Sequence, residues 1–570
     1  LSALAFKTLK NKRLRINNTL IMLKKLLFLL LCASYWEGLL AQTGIYDTGG
    51  QLMSEQAAYN TKFYDLSLQI SPDERRIAGK LRAEVQVVHP MNWFVLDLDT
   101  LLTVALVREG NQVRNFHRQG GKLWIDLGLT RQPGEYIKAE IAYGGAPRIA
   151  PRAPWDGGFN WSRTPSGAHW IATSCQGEGA DLWWPVKDHV SDEPDSMALH
   201  IRVPDPLVVA SNGRLRQVEK HNDNTSTYHW FVSNPINTYN VALNIAPYRT
   251  IEGELASVAG DTFPVVFYVL PEDFEKGEKL FPEILDHLRF FEKICGPYPF
   301  RADKYGVAQT PHLGMEHQTI IAYGANFSNR SMTGGRDWGF DALHQHELAH
   351  EWWGNLVTNS DWRDMWLHEG FGSYMQPLYA EHLFGKAKYQ EYMSSMRRFA
   401  NNLPIAPRES KTGKEIYRAP IYAKGAWVLH NLRFLIGDEA FFRALRRMAY
   451  PDPALEKIKD GRQTRFANTD DFVRICEAES GMKLDWFFEV YTRQAALPKL
   501  HSKIEDGKLL LRWESPLPGT AFPMPVEVAV GKNRYRIEVP ESGFAMPLGK
   551  KDQPVVDPDS WLLFDIGGKQ

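Results

Sequence analysis

Cysteine is scarce: Cys32, Cys175, Cys295 and Cys476 are the four in a chain of 570 residues. No two are spaced as a C-x-x-C metal pair, and the three beyond Cys32 are odd in number, so no disulfide framework can be read. Buried thiols are the expectation for them. A dominant charge is also missing. The 66 Lys and Arg against 67 Asp and Glu leave a formal charge of -1, which gives no footing for nucleic acid, and the apolar fraction of 44% is that of a globular chain rather than a disordered one. No apolar run reaches the roughly 20 residues of a membrane-spanning helix, and no internal repeat is present. A chain of this length exceeds one ordinary core, so several domains are expected.

What is present begins with an export signal. Residues 1–21 are basic, start without methionine and read as upstream sequence. From Met22 the pattern is that of a secretory signal peptide: Lys24 and Lys25, a short apolar core to Leu31, and Leu39-Leu40-Ala41 ahead of Gln42 as a cleavage site. A buried helix is the alternative reading. Cys32 could carry a lipid anchor, but Leu29-Leu30-Leu31 lacks the small residues that a lipoprotein site prefers. The expectation is export to the periplasm or the exterior, with no integral span once the signal is removed.

The stretch from Phe340 to Tyr374 carries the chemistry. His346 and His350 are four apart, so on a helix they share a face and can offer two imidazoles to one tetrahedral ion. Glu347 is rotated about 100° from His346, beside such an ion, where a carboxylate can deprotonate an activated water. Asp341 is placed to cap the helix and Gly354 to stop it. A catalytic zinc usually takes three protein ligands, and Glu369, in WLHEGFGSY, is the best third candidate, with 18 residues between it and His350. By chance alone H-E-x-x-H turns up in roughly a few per cent of such chains, so the weight falls on Glu369 and on further matches.

H-E-x-x-H, 18 residues, then Glu inside W-L-x-E-G-F resembles the signature of the M1 zinc aminopeptidases, or gluzincins. The resemblance implies one Zn2+ per chain held by His346, His350 and Glu369, with Glu347 as general base. Leu313-Gly314-Met315-Glu316-His317 stands where the family has its G-A-M-E-N exopeptidase motif and matches bacterial G-M-E-H forms. The match assigns Gly314, Met315 and above all Glu316 to the substrate, Glu316 holding its free ammonium through charge-assisted hydrogen bonds. Gln176, in TSCQGEGADLWWPVKDHVSDEPDS (173–196), matches a second amine-binding position, with Glu178 a further polar candidate; a surface loop is the alternative. Asp181 stands where the family often has Arg. Tyr422, in Y-A-K-G-A, resembles the tyrosine that donates to the oxyanion, and Tyr417 one that borders the substrate side-chain pocket. His344 and His368 are expected to pack or support ligands rather than bind metal.

The fold class expected is multidomain α+β. Period-two alternation at Leu66, Leu68 and Ile70, at Leu81 to Val87 and at Leu123 to Leu127 marks an antiparallel β domain over 55–250; alternation alone does not separate sandwich from saddle, and the resemblance implies a saddle. Helical periodicity at Ile284, Leu285, Leu288 and Phe291 opens a catalytic domain over 251–498, thermolysin-like by resemblance. Alternation returns at Leu509, Leu511 and Trp513, at Val526 to Val530 and at Tyr535 to Val539 in a small β-sandwich over 499–570, where the helical superhelix of many M1 members is expected to be absent. The expected function is release of N-terminal residues from peptides with a free amino terminus. An epoxide hydrolase on the same zinc, or a catalytically inactive binding protein, are the alternatives. Oligomeric state is not readable.

Overall fold

Alternating apolar residues between Tyr59 and Val87 build two long strands, Tyr59–Ser71 and Arg76–Val87, paired antiparallel with Leu66 opposite Leu81 and Ile70 opposite Ile77, all four buried. Side chains two apart share a face, so one side of this ribbon is apolar. In the computed structural model, which describes residues 46–565, the ribbon lies inside an eight-stranded sheet. Its order is Arg214–Lys220, Thr225–Val232, Ser196–Pro204, Tyr59–Ser71, Arg76–Val87, Tyr136–Gly145, Leu102–Glu109 and Gln112–Val113. The expectation of an antiparallel sheet holds except at one pairing: Tyr59–Ser71 and Ser196–Pro204 run parallel. These strands are joined by a long crossover rather than a hairpin, the condition a parallel pair requires. Smaller sheets of three strands (Met91–Asp97, Lys122–Arg131, Phe116–Gln119) and four strands (Val208–Ser211, Leu243–Ala246, His169–Ser174, Gly158–Arg163) complete this region.

Between the strands His169–Ser174 and Ser196–Pro204, the rest of segment 173–196 has a short 3-10 turn, Ala180–Leu182, and a single bridge from Val186 to Asp97, but it is not a surface loop: Trp183 and Trp184 are fully buried. Beyond it a five-stranded mixed sheet runs Arg249–Ala256, Thr262–Val269, Tyr305–Gln309, Ile321–Tyr323, Gly314–Met315, the last being a two-residue edge strand antiparallel to its neighbour. The helix Phe274–Cys295 packs its apolar face inward and stops at Gly296, whose φ of +97° suits glycine.

The metal-motif helix is Ala342–Ala349, and the Asp341 side chain accepts the His344 amide at 3.0 Å as its cap. It ends earlier than the Gly354 signal implies. From His350 to Trp353 the amides turn to carbonyls three or four residues back, Glu351 to Leu348 and Trp353 to Ala349, and the chain continues in turns to Gly354. The next helix, Trp366–Phe384, crosses Ala423–Ile436 at two glycines. A Cβ on Gly370 would stand 2.8 Å from the Gly425 Cα, and one on Gly425 2.7 Å from the Gly370 Cα. Neither distance is possible between real atoms, so backbone touches backbone here.

The C-terminal region is two three-stranded sheets, Lys499–Glu505, Lys508–Glu514 and Phe544–Pro547 against Asn533–Ile537, Val526–Val530 and Pro554–Val556. Leu509, Leu511, Trp513, Val526 and Val528 are buried as the alternation predicts, whereas Tyr535 is exposed on its strand. Among the described residues no helix is long and apolar enough to cross a membrane. The expected signal peptide, Met22 to Ala41 with Cys32, lies outside the described residues.

Replacing Gly370 or Gly425 by Ala should therefore lower the thermal unfolding midpoint. Overpacking of this kind costs about 1–3 kcal/mol, against about 1 kcal/mol recovered from alanine's helix propensity. An unchanged or higher midpoint in both variants would show that the helices can separate freely at this point.

Candidate active site

His346 and His350 present Nε2 atoms 3.2 Å apart, and Glu369 Oε2 lies 3.5 Å from each. Donors on a tetrahedral ion with bonds of about 2.0–2.1 Å are separated by about 3.3–3.4 Å. The triangle therefore fits one zinc-sized cation. The donor chemistry agrees. His350 Nδ1 lies 2.9 Å from the Trp353 carbonyl, which places the proton on that nitrogen and leaves Nε2 free to bind. Burial holds His346 below the usual imidazole range, the neutral form that metal binding requires. Glu369 Oε2 is buried with no hydrogen-bond partner, while Oε1 accepts the Tyr417 hydroxyl at 3.0 Å. Although burial opposes its charge, the facing imidazoles and the Tyr422 hydroxyl hold Glu369 below the ordinary carboxylate range. It also sits in the first turn of its helix, where the dipole favours an anion.

Two glycines make room for these groups. A Cβ on Gly372 would lie 3.1 Å from His346 Cε1, and one on Gly314 would lie 2.4 Å from Glu347 Oε1. The bare backbone of the edge strand thus lets the Glu347 carboxylate lie beside the metal donors. Glu316, Glu347 and His350 bring ligand atoms within 4.8 Å of one another. Burial first, and then the carboxylates of Glu316 and Glu369, push Glu347 well above its ordinary range.

Glu316 is buried, and its Oε1 accepts both the Gln176 amide and the Tyr239 hydroxyl, the latter at 3.1 Å. Its loop is anchored on every side. Lys304 donates to the carbonyls of Ser211, Gly213 and Thr319 at 2.8–2.9 Å. Asn212 donates to the Gln318 carbonyl at 2.6 Å, Glu351 accepts the Thr319 amide at 2.8 Å, and Asn355 donates to the Glu316 carbonyl at 3.1 Å. Tyr239, Lys304 and Asn355 belong to no recognisable spacing, so nothing in the sequence pointed to them.

Tyr422 stacks its ring on His346 with centroids 6.2 Å apart and is 37% exposed to the cleft. The cleft has a volume of about 580 Å3 and is lined by Gln176, Gly314, Met315, Glu316, Glu347, Tyr417 and Tyr422 together with the three metal donors. Glu178 also lines it, but its oxygens are already taken by Arg148, Lys414 and the Gly157 amide. Asp181 does not line the cleft, and burial, then the nearby carboxylates of Asp188 and Asp97, raise its carboxyl well above the ordinary range. His344 is bonded to Tyr305 at 2.8 Å and to His287 at 2.7 Å, and His368 Nε2 accepts the Asn359 amide at 2.9 Å. Neither joins the donor triangle.

The chain is similar to known proteins in sequence and in fold. The Peptidase M1 N-terminal domain profile matches residues 60–240 and the Peptidase family M1 domain profile residues 286–491. Aminopeptidase M1 of Arabidopsis thaliana is 27% identical over 337 residues, 56% of this chain and 37% of that protein. Endoplasmic reticulum aminopeptidase 1 of Mus musculus is 22% identical over 346 residues, 58% of this chain and 35% of that protein. The chain thus spans little more than a third of the length of these curated relatives. Among solved structures, a mutant M1 zinc metallopeptidase from Deinococcus radiodurans with Tyr-Ser-Ala bound superposes with a TM-score of 0.64. It shares 24% identity over 79% of this chain and 96% of that one, a likeness of fold.

The Tyr417 hydroxyl fixes Glu369 from behind, so Tyr417→Phe should weaken zinc binding by about 10–100-fold, read by chelator competition. Unchanged affinity would mean that Glu369 is oriented by its helix alone.

Proposed function

Since this chain carries the N-terminal and catalytic domains of peptidase family M1, we propose that it is a zinc aminopeptidase that releases single residues from the free amino terminus of peptides. The observation that carries this reading is the joining of two sites: the His346–His350–Glu369 triangle and the buried Glu316 carboxylate, converging with Glu347 on His350. A metal centre alone would suit many hydrolases. A buried carboxylate fixed beside it by Gln176 and Tyr239 suits a substrate ammonium group at a set distance from the scissile bond. With L-G-M-E-H at 313–317, the chain fits the bacterial G-M-E-H form of the exopeptidase motif.

One Zn2+ per chain fits the donors His346 Nε2, His350 Nε2 and Glu369 Oε2, and when bound it supplies Lewis acidity that polarises the scissile carbonyl and acidifies a water. Its charge would also offset the crowding of Glu316, Glu347 and Glu369. Glu347 accepts the proton of the attacking water and delivers it to the leaving amine. Tyr422 donates its hydroxyl to the developing oxyanion. Glu316 and Gln176 hold the substrate ammonium, Met315 and Tyr417 border its first side chain, and Gly314 offers backbone without steric bulk. The Met22–Ala41 segment supports a place of action in the periplasm or outside the cell.

Aminoacyl fluorogenic amides should be cleaved and their N-acetyl counterparts should not, with activity lost to chelator and restored by Zn2+. Glu347→Gln should lower kcat by about 10²–10⁴-fold, and Tyr422→Phe by about 10²–10³-fold with little change in KM. Equal cleavage of acetylated substrates would mean that Glu316 does not hold the substrate ammonium, and absence of turnover by a zinc-loaded protein would leave a binding protein on a peptidase fold.

A further inference from the structure

Among the described residues, three cationic side chains other than histidine line the cleft: Arg152, Lys414 and Arg418. Two have acid partners. Arg152 pairs with Asp156 at 3.5 Å, and Lys414 pairs with the buried Glu178 at 2.9 Å, which also holds Arg148. Arg418 differs. Among the described residues no carboxylate lies within ion-pairing distance of its guanidinium, and no ring or carbonyl accepts from it.

Its position is set by the backbone. The short helix Gly413–Ile416 is closed by a capping box between Thr412 and Glu415. The helical turn then continues, Tyr417 N bonding to Gly413 O at 3.1 Å and Arg418 N to Glu415 O at 3.4 Å. Residues three and four apart on a helical turn are neighbours, so Lys414, Tyr417 and Arg418 share the face that lines the cleft. Tyr417 reaches the metal ligand Glu369 at 3.0 Å. Arg418, one residue on, is therefore held on the wall of the substrate cleft, exposed to whatever occupies it.

We propose that Arg418 is a substrate-binding residue that receives a carboxylate of the peptide. This rests on the aminopeptidase reading and adds a substrate class to it: peptides that carry an anion within the cleft. The chemistry favours a carboxylate because it is the anion a peptide supplies, and because a guanidinium pairs with it through two parallel N–H donors. Together with Glu316, which takes the ammonium, Arg418 gives the cleft a positive and a negative contact of opposite sign to the two ends of a short peptide. The carboxylate can come from the C-terminus of a short peptide or from an acidic side chain, and the two sources are separable.

The test uses zinc-loaded full-length protein with Glu347→Gln, so that binding is read by calorimetry without turnover. The probes are Ala-Ala-Ala against its C-terminal amide, Glu-Ala-Ala-amide against Gln-Ala-Ala-amide, and Ala-Glu-Ala-amide against Ala-Gln-Ala-amide. Each pair is measured with Arg418 intact, with Arg418→Gln and with Arg418→Lys. At least one pair should favour the carboxylate member by about tenfold, with the ratio falling to about twofold or less in Arg418→Gln and to an intermediate value in Arg418→Lys. The pair that responds names the source. Ratios that are the same in all three proteins, at any value, overturn the proposal while leaving the aminopeptidase reading intact. Failure of every peptide to bind overturns both.

Discussion

Three buried carboxylates, Glu316, Glu347 and Glu369, crowd two imidazoles at the base of the cleft, and like charges removed from water repel strongly. Such an arrangement persists only if each group is held by something outside the cluster. Glu369 is held by its helix and by Tyr417, Glu316 by Gln176 and Tyr239, and His350 by a backbone carbonyl. The rest of the architecture can be understood as the means of delivering those supports from separate parts of the chain.

The delivery crosses the boundary between the large N-terminal sheet region and the mixed-sheet and helical region. Gln176 and Tyr239 come from the first and Glu316 from the second, and Lys304 gathers carbonyls from both sides. An ammonium with three carbonyl acceptors uses all its donors at once, so the junction is polar yet satisfied. The burial of segment 173–196 follows from the same demand: a loop that places Gln176 inside the cleft must lie against the core, and Trp183 and Trp184 seat it there.

What the sequence made legible is what short spacing encodes. The four-residue step from His346 to His350, the cap at Asp341 and the alternation of Leu66, Leu68 and Ile70 are local patterns, and the structure places each as a helix face, a cap or a buried strand face. Illegible features depend on contacts between distant residues. Tyr239 meets Glu316 across 77 positions, the parallel pairing of Tyr59–Ser71 joins strands more than a hundred residues apart, and Glu178 proves occupied because Arg148 and Lys414 converge on it from opposite sides of the sequence. The glycine at 354 misled because the helix had already tightened from His350 onward, where the amides of His350, Glu351 and Trp352 bond to carbonyls three residues back.

The glycine-on-glycine crossing at Gly370 and Gly425 has a mechanical meaning. Glu369 stands one residue before the first glycine, and Tyr422 three residues before the second. Side-chain interfaces can re-sort their rotamers and let two helices slide; two bare backbones in contact have no rotamers to change. Glu369 of the donor triangle and Tyr422 on the cleft wall are thus riveted to a common pivot, and their separation is insensitive to the side-chain fluctuations that warming or a remote substitution would excite. Flexibility in this cleft must be sought in its rim, because its working distance is set in the main chain.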